Sequence, residues 1–397
     1  MRGLFRLCAL LLLSVCAVPA HAQDRFSKID ELVNQAVANH LVPGAVVVVG
    51  HNEHVEFRKA YGSRSLVPTQ EPMTANTIFD MASLTKPLMT AVAVMQLYQQ
   101  GKIGIDQPVA QYLPEFAANG KGNITIRELL THYSGLPPDI SLAEPWEGRG
   151  EAYKLAYASV PAGPPGVKFV YSDINFIVLG ALVERLSGLP LEIYTQRYII
   201  QPLGLKHTRY LPLESWIPLI APTEYEHGLS ASGMKNQPTG PGDVVLRGVV
   251  HDPTSRRMGG VAGHAGLFSS ADDVAVYAQS LLDRLAGKPS RFPLSRATLR
   301  KMVSAEQPAG GKAVRSFGWD IDSPYSSNRG KIFPVGSFGH TGFTGTSLWI
   351  DPWSDTYVIV LTNAVHPNGP THILALRGGI ADAAARALGL YGTASAH

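Results

Sequence analysis

Cysteine is almost missing from this chain. Only 2 of its 397 residues are cysteine, and both, Cys8 and Cys16, lie in an apolar N-terminal stretch. Everything after Cys16 is therefore without disulfides, thiol nucleophiles or thiolate metal ligands. A chain this long can bury enough apolar surface to hold together without such staples. Long apolar runs are scarce as well. Leu7 to Val18 is too short for a bilayer, and no later stretch approaches the roughly 18–20 residues a membrane helix needs, so no transmembrane segment is expected in the mature chain. Charge of one sign is also lacking. The formal net charge is +3 with no long basic cluster, so nucleic acid is not an expected partner. Gly-x-Ser-x-Gly and His-Glu-x-x-His do not occur, which removes the usual signatures of an α/β-hydrolase and of a zinc hydrolase. The histidines are scattered singly, and neither a metal nor a cofactor is expected. Glycine and proline, 39 and 29 residues, stay below the roughly 25–30 % that marks disorder, so a loop-rich globular enzyme is expected.

What is present begins with a secretion signal. Arg2 and Arg6 give a basic start, the apolar stretch follows, and Ala20-His21-Ala22 places small residues where a signal peptidase reads. This predicts a signal peptide over residues 1–22, cleaved after Ala22, and a periplasmic or secreted protein comprising residues 23–397. Cys16 follows Leu13-Ser14-Val15, so lipidation is an open alternative, although Val15 fits that signal poorly.

Periodicity gives the organisation. Ser27 to His40 has helical spacing, and the runs Ala45–Val49 and Val55–Tyr61 flank a polar turn, which predicts a hairpin. Thr346–Ile350 and Tyr357–Leu361 predict a second hairpin near the C-terminus, followed by a helix over 371–388. Between them the chain is mostly helical. Lys86 to Gln100 is apolar nearly all round, as in a buried helix. Thr125-Ile126-Arg127-Glu128 is a capping box, and Asp173 to Ser187 is a helix closed by Gly188. The expected fold is α/β of the α+β kind. One antiparallel sheet is built from the N- and C-terminal strands and flanked by helices, with a mainly helical second lobe in the same domain. Residues 226–266 are the least regular and are expected to form a long loop beside a cleft.

Ser83-Leu84-Thr85-Lys86 stands at the start of the buried helix. An i, i+3 spacing puts the hydroxyl and the amine on one face. A serine hydroxyl needs an adjacent base to attack a carbonyl, and a lysine desolvated by burial is pushed toward the neutral amine that can serve. Ser232-Gly233-Met234-Lys235 has the same pattern but lies in the Gly/Pro-rich stretch with no helix to hold the pair together. Two further segments follow. Tyr171-Ser172-Asp173 lies where a strand-like Lys168-Phe169-Val170 turns into a helix, and His340-Thr341-Gly342 lies at the edge of the second hairpin.

In that order, and together with Leu129–Leu136 and Gly263–Ser269, these segments resemble the serine β-lactamase and penicillin-binding protein superfamily. The nearer likeness is to class C β-lactamases, D-alanyl-D-alanine carboxypeptidases and related esterases, and it spans nearly all of the mature chain. The resemblance implies a β-lactamase-like fold and an acyl-enzyme formed on Ser83. It implies Lys86 and Tyr171 as the base and later the acid for the leaving group, and an oxyanion hole from the N–H groups of Ser83 and Phe343. It places Asp173, His340, Thr341 and Gly342 at the substrate, with Gly342 keeping its strand close. Tyrosine can act in this way only if a cation lowers its pKa, and Lys86 is the nearest candidate. His132 and His264 are read as structural.

Two departures bear on the substrate. Many β-lactamases carry Asn where this chain has Asp173, and an ionised Asp can only accept a hydrogen bond. Asp173 beside Lys86 would also hold the amine protonated. His340 replaces a lysine, exchanging a permanent cation for a side chain mostly neutral at pH 7. Both changes fit a peptidase or esterase, acting on a small molecule or peptide with a scissile ester, amide or lactam, better than an efficient β-lactamase. That enzyme stays as the alternative, and a non-catalytic sensor acylated once by penicillin is a second.

Overall fold

The structure is a computed structural model describing residues 25–225 and 244–392. The signal-peptide reading, with Cys8 and Cys16, lies outside the described residues, as does the segment Ser232–Lys235.

Helix α1 (Ser27–Ala38) leads into the hairpin of β1 (Gly44–His51) and β2 (His54–Ser65), with the short β3 (Glu71–Pro72) beyond it. At the far end of the chain, β9 (Phe338–Thr341), β10 (Ser347–Asp351) and β11 (Thr356–Thr362) form the second hairpin system. The two ends join: β1 pairs antiparallel with β11, Val47 opposite Val360. The full order is β3-β2-β1-β11-β10-β9-β8-β7, where β7 is Val314–Arg315 and β8 is Asp320–Asp322. β1 and β11 read as continuous apolar runs because both faces of the sheet are covered. Ala45, Val47, Val49, Val358 and Val360 pack under α1 and the C-terminal helix Leu374–Ala387. Val46, Val48, Ile359 and Leu361 pack against the central helices. The period of two divides the same strands between two cores.

On the helical side, α-helix Ala91–Gln99 is buried from Ala91 to Leu97. Its expected first turn is different from a regular α-helix. Ala82–Leu84 is a 3₁₀ turn and Lys86–Thr90 a π turn. Pro87 has no N–H to give the Ser83 carbonyl, so the regular i→i−4 ladder cannot start there. Thr125 caps helix Ile126–Thr131: its Oγ1 accepts from the Glu128 N–H, and Glu128 Oε2 accepts from the Thr125 N–H at 2.8 Å. The same helix is stopped by His132 in the left-handed region (φ 61°), which turns its ring inward. Helix Asp173–Ser187 is closed by Gly188 at φ 71°. Lys168–Val170, expected to be strand-like, joins no sheet. The Val170 N–H donates to His132 O at 3.0 Å, so the segment is tied to the end of the preceding helix instead. Within the stretch expected to be a loop, the described part is irregular except for helix Pro253–Arg257, capped by Asp252. Among the described residues no single helix is long and apolar enough to cross a membrane.

Candidate active site

A second, three-stranded sheet of β4 (Ile78–Asp80), β6 (Leu267–Ser270) and β5 (Arg209–Tyr210) delivers Ser83. Directly after β4, Ala82 takes φ 46°, a left-handed conformation costing about 1–3 kcal/mol for a non-glycine residue. Contacts on every side hold it. Asp80 Oδ1 accepts from the Ala82 N–H at 2.9 Å, and Asp80 Oδ2 from the His251 N–H at 2.7 Å. Thr344 Oγ1 donates to Asp80 O at 2.7 Å, and Thr346 Oγ1 to Met81 O at 3.1 Å. Gly342 lies against the same turn: a Cβ there would sit 2.5 Å from Met81 O and 2.2 Å from Thr346 Oγ1. Glycine is what lets the β9–β10 turn, which carries Phe343, approach Ser83 this closely.

Lys86 is fully buried beneath that turn. Its Nζ lies 3.0 Å from Ser83 Oγ, 3.1 Å from His264 O and 2.6 Å from Asp173 Oδ1. The first two are hydrogen bonds and the third is an ion pair, the surroundings of an ammonium. Burial alone would lower the pKa of the amine, but the Asp173 carboxylate and Tyr171 outweigh it and raise the pKa overall. The expectation from burial alone, a lysine pushed toward the neutral form, is thus overturned by its carboxylate neighbour. Tyr171 has its hydroxyl within hydrogen-bonding reach of both Lys86 and Ser83. Burial raises its pKa, and Lys86 offsets that rise only in part. Lys86 Nζ also stands 4.9 Å from the centre of the Tyr171 ring.

Behind Tyr171 the His132 ring is stacked at 4.4 Å between centroids and 25° between planes. His132 Nδ1 accepts from the Ser172 N–H and pairs with Asn175 Nδ2, both at 3.1 Å, so the proton is assigned to Nε2. Burial, then Arg315 and Lys86, hold this ring neutral.

His340 is 2 % exposed, with Nδ1 paired to Thr341 O at 2.8 Å, which leaves Nε2 as a lone-pair acceptor. Burial, Arg315 and Lys86 push its pKa well below the ordinary value, so it is a neutral side chain where a lysine would be a cation. A cleft of about 400 Å³ runs past Ser83, lined by Tyr171, Tyr325, His340, Phe343 and Arg377. The Phe343 side chain is half exposed and stacks on His251 at 5.5 Å.

Several residues of the site carried no signal in the sequence. Arg377, on the C-terminal helix, donates through Nη2 to Gly342 O and Thr346 O, each at 2.9 Å, and fixes the turn that carries Phe343. Arg315 and Asp320 form a buried ion pair. Opposite them, Asp139 accepts from Thr254 Oγ1 at 2.7 Å, and His264 Nε2 pairs with Asp252 Oδ1 at 2.8 Å. Burial, with Asp173 and Asp252 nearby, pushes the Asp139 carboxyl up to about 7. Burial would lower His264, but Asp252 prevails and raises it. The site thus joins a hydroxyl, a buried amine and a phenol to a carboxylate-rich wall on one side and two buried arginines on the other. That set can attack a carbonyl and pass protons along it.

The chain is similar to known proteins along most of its length. Residues 29–382 match the family model for Beta-lactamase. An N-acetylmuramyl-L-alanine amidase of Bacillus subtilis (strain 168) is 34 % identical over 371 residues, covering 86 % of this chain and 81 % of that protein. A protein of Escherichia coli (strain K12), provisionally named D-alanyl-D-alanine carboxypeptidase, is 31 % identical over 367 residues, covering 86 % and 83 %. Among solved structures, EstCE1, a hydrolase with promiscuous acyltransferase activity, superposes with TM-score 0.71 at 25 % identity over 92 % of this chain and 99 % of that one. A class C β-lactamase gives TM-score 0.71 at 18 % identity over 92 % and 98 %, a likeness of fold. The chain belongs to the β-lactamase family, within the superfamily of serine β-lactamases and penicillin-binding proteins, and is a hydrolase of that superfamily.

Proposed function

We propose that this protein is an exported serine hydrolase that cleaves an amide bond in a small cell-wall peptide through an acyl-enzyme on Ser83. The observation that carries the reading is Lys86 Nζ at 3.0 Å from Ser83 Oγ, with the Tyr171 hydroxyl reaching both. Ser83 Oγ attacks the carbonyl as its proton passes to Lys86. The developing oxyanion is met by the N–H groups of Ser83 and Phe343, a contribution of about 10²–10³ in rate per donor. Tyr171 relays the proton to the leaving nitrogen, and water reverses the sequence to free the acid.

On the cleft wall Arg377 supplies a cation. This supports a peptide ending in a carboxylate, as in a D-alanyl-D-alanine carboxypeptidase. The amidase relative supports the same chemistry with a muramyl acyl group and an L-alanine leaving group, and EstCE1, with its acyltransferase activity, supports an acyl-enzyme. The β-lactamase reading is weaker here because His340 lacks the charge of lysine.

The test is turnover of an N-acylated D-alanyl-D-alanine tripeptide, N-acetylmuramyl-L-alanyl-D-isoglutamine, p-nitrophenyl butyrate and a chromogenic cephalosporin, with Ser83→Ala as blank. Peptide turnover lost in the blank is expected. Rapid saturable cephalosporin turnover exceeding the others would replace the reading with a β-lactamase. Activity retained by Ser83→Ala would end it, and a stable penicillin adduct in intact-mass spectra without any turnover would indicate a sensor. Export is tested by the N-terminus of protein recovered outside the cytoplasm, expected at Gln23.

A further inference from the structure

Neither candidate base is ready at rest. Lys86 holds its proton beside Asp173, and the buried Tyr171 holds its own. Something must take a proton from the amine before the amine can take one from Ser83.

We propose that Asp173 is that acceptor: Lys86 and Asp173 share one proton, carried on the amine in the open cleft and passed to the carboxylate when substrate covers it. The inference rests on reading Ser83 as the nucleophile.

Three observations support it. The first is distance. Asp173 Oδ1 is 2.6 Å from Lys86 Nζ, the shortest of the three contacts the amine makes. The second is the difference in burial between the partners. The Lys86 side chain is 0 % exposed and that of Asp173 22 %, with Oδ1 itself shielded, so water reaches the carboxylate only away from the amine. Substrate seated over Asp173 removes that water, and a charged pair without solvent is costly relative to a neutral one. The third is crowding. Asp139 and Asp252 stand on the same wall, Asp139 bound to Thr254 and Asp252 to His264. After burial, the Asp173 charge is what raises the Asp139 carboxyl, so a proton on Asp173 relieves that repulsion. Asn at position 173 would have no proton site to offer.

The steps balance. Lys86 –NH₃⁺ and Asp173 –COO⁻ become –NH₂ and –COOH with no change in net charge. The carboxyl turns its O–H away, and the amine turns about Cε–Nζ, giving its two N–H groups to His264 O and to the unprotonated oxygen of Asp173 and its lone pair to the Ser83 hydroxyl. Ser83 Oγ forms its bond to the carbonyl carbon while its proton moves to Nζ and the C=O π pair moves to oxygen. On collapse that pair re-forms C=O, the bond to the leaving atom breaks with its electrons, and Nζ returns the proton through the Tyr171 hydroxyl to that atom. Asp173 keeps its proton through deacylation and gives it back to Lys86 as product leaves.

The consequence is a distinctive pH dependence. In the native protein the reactive form arises without net proton loss. In Asp173→Asn it arises only when Lys86 gives its proton to solvent. Titrating or charged groups facing the pair are Tyr171, Asp139, Asp252 and His264, with His132, His340 and Arg315 beyond the tyrosine. Asp139, His264 and Tyr171 feel the Asp173 charge and do not cancel in a ratio, so the ratio is read from its sustained slope at pH above the Asp139 value of about 7.

The experiment measures kcat/KM for p-nitrophenyl butyrate against pH in the native protein, Asp173→Asn and Asp173→Glu. The ratio of native to Asn is expected to be largest at acid pH and to fall about tenfold per pH unit as pH rises. The ratio of native to Glu, which keeps a carboxylate, is expected to stay flat. A pH-independent Asn ratio would overturn the proposal, because Asp173 then only positions Lys86. A variant as fast as the native protein at every pH would also overturn it, because the carboxylate then restrains the base. Should Asn fail to fold, infrared difference spectra of native and Glu proteins labelled on Ser83 with a fluorophosphonate decide. A carboxylic-acid band that shifts between the two supports the proposal, and no such band overturns it. Loss of activity in Ser83→Ala tests the nucleophile separately.

Discussion

His132 lies face to face with Tyr171, ring centroids 4.4 Å apart, and ties down the backbone that follows the tyrosine through Nδ1. A residue read as structural from its segment thus positions the phenol. His132→Ala removes the acceptor of two buried donors, the Ser172 N–H and Asn175 Nδ2, at about 1–3 kcal/mol each. The expected result is a lower unfolding midpoint in urea and a fall in kcat larger than any change in KM. His132→Asn, whose Oδ1 can stand in for Nδ1, should recover stability more than kcat. An alanine variant with native kcat would remove the positioning role.

Gly342→Ala puts a methyl group into Met81 O and Thr346 Oγ1. The two turns must part, moving Phe343 from Ser83, and a displacement near 1 Å at such a site costs about a hundredfold in rate. The protein is expected to remain folded by circular dichroism while kcat/KM falls by about that factor. An unchanged kcat/KM would show that the turn does not set the site.

Asp80 has both oxygens committed to backbone N–H groups, of Ala82 and His251. Burial raises its pKa against those two bonds. Asp80→Ala leaves both donors bare and releases the left-handed Ala82. A loss of about 1–3 kcal/mol per donor in chemical denaturation is expected, together with loss of kcat. Asp80→Asn keeps one acceptor and should fall between.

Acid stability carries a signed prediction. His340 is held neutral, its folded pKa below the ordinary value of about 6.5, so on acidification the unfolded chain takes up the proton first. Its contribution is full above about pH 6.5 and is lost below, at about 1.4 kcal/mol per pH unit. Asp139, raised to about 7, has the opposite slope: the folded state gains its proton first, and stability increases as pH falls below 7. The histidine is isolated by comparing slopes. His340→Asn should lose less stability between pH 6.5 and 5 than the native protein does, by urea denaturation at each pH. Equal slopes would mean that His340 is not held neutral.

Local pattern made much of the fold legible. The apolar runs 45–49 and 357–361 marked the strands that pair as β1 and β11, because each strand is buried on both faces. The capping box at Thr125 marked a helix start, because its two hydrogen bonds lie within one turn. The Ser83–Lys86 spacing placed both side chains at one spot. The π turn escaped because the apolar pattern of Lys86–Gln100 carries no trace of the ladder bond that Pro87 leaves out. The extended look of Lys168–Val170 misled because their partners lie at the end of a helix and not in a strand. The charge on Lys86 was half legible: burial argued for the neutral amine, Asp173 for the cation, and only the 2.6 Å contact decides between them. Asp80, Thr344, Thr346, Arg315 and Arg377 act across the fold or as single polar residues, which leave no periodic trace.

The pairing of β1 with β11 also governs how the molecule can be made. Until residues 356–362 have emerged, β1 presents Ala45 to Val49 as an unpaired apolar edge, the kind that recruits other chains. His340 and Phe343 arrive equally late, so a nascent or truncated chain holds Ser83 and Lys86 without the turn that completes their pocket. Synthesis therefore passes through a long interval in which the protein is both inert and adhesive, and anything that keeps it apart from its neighbours until the last strand docks protects its yield without touching its final stability.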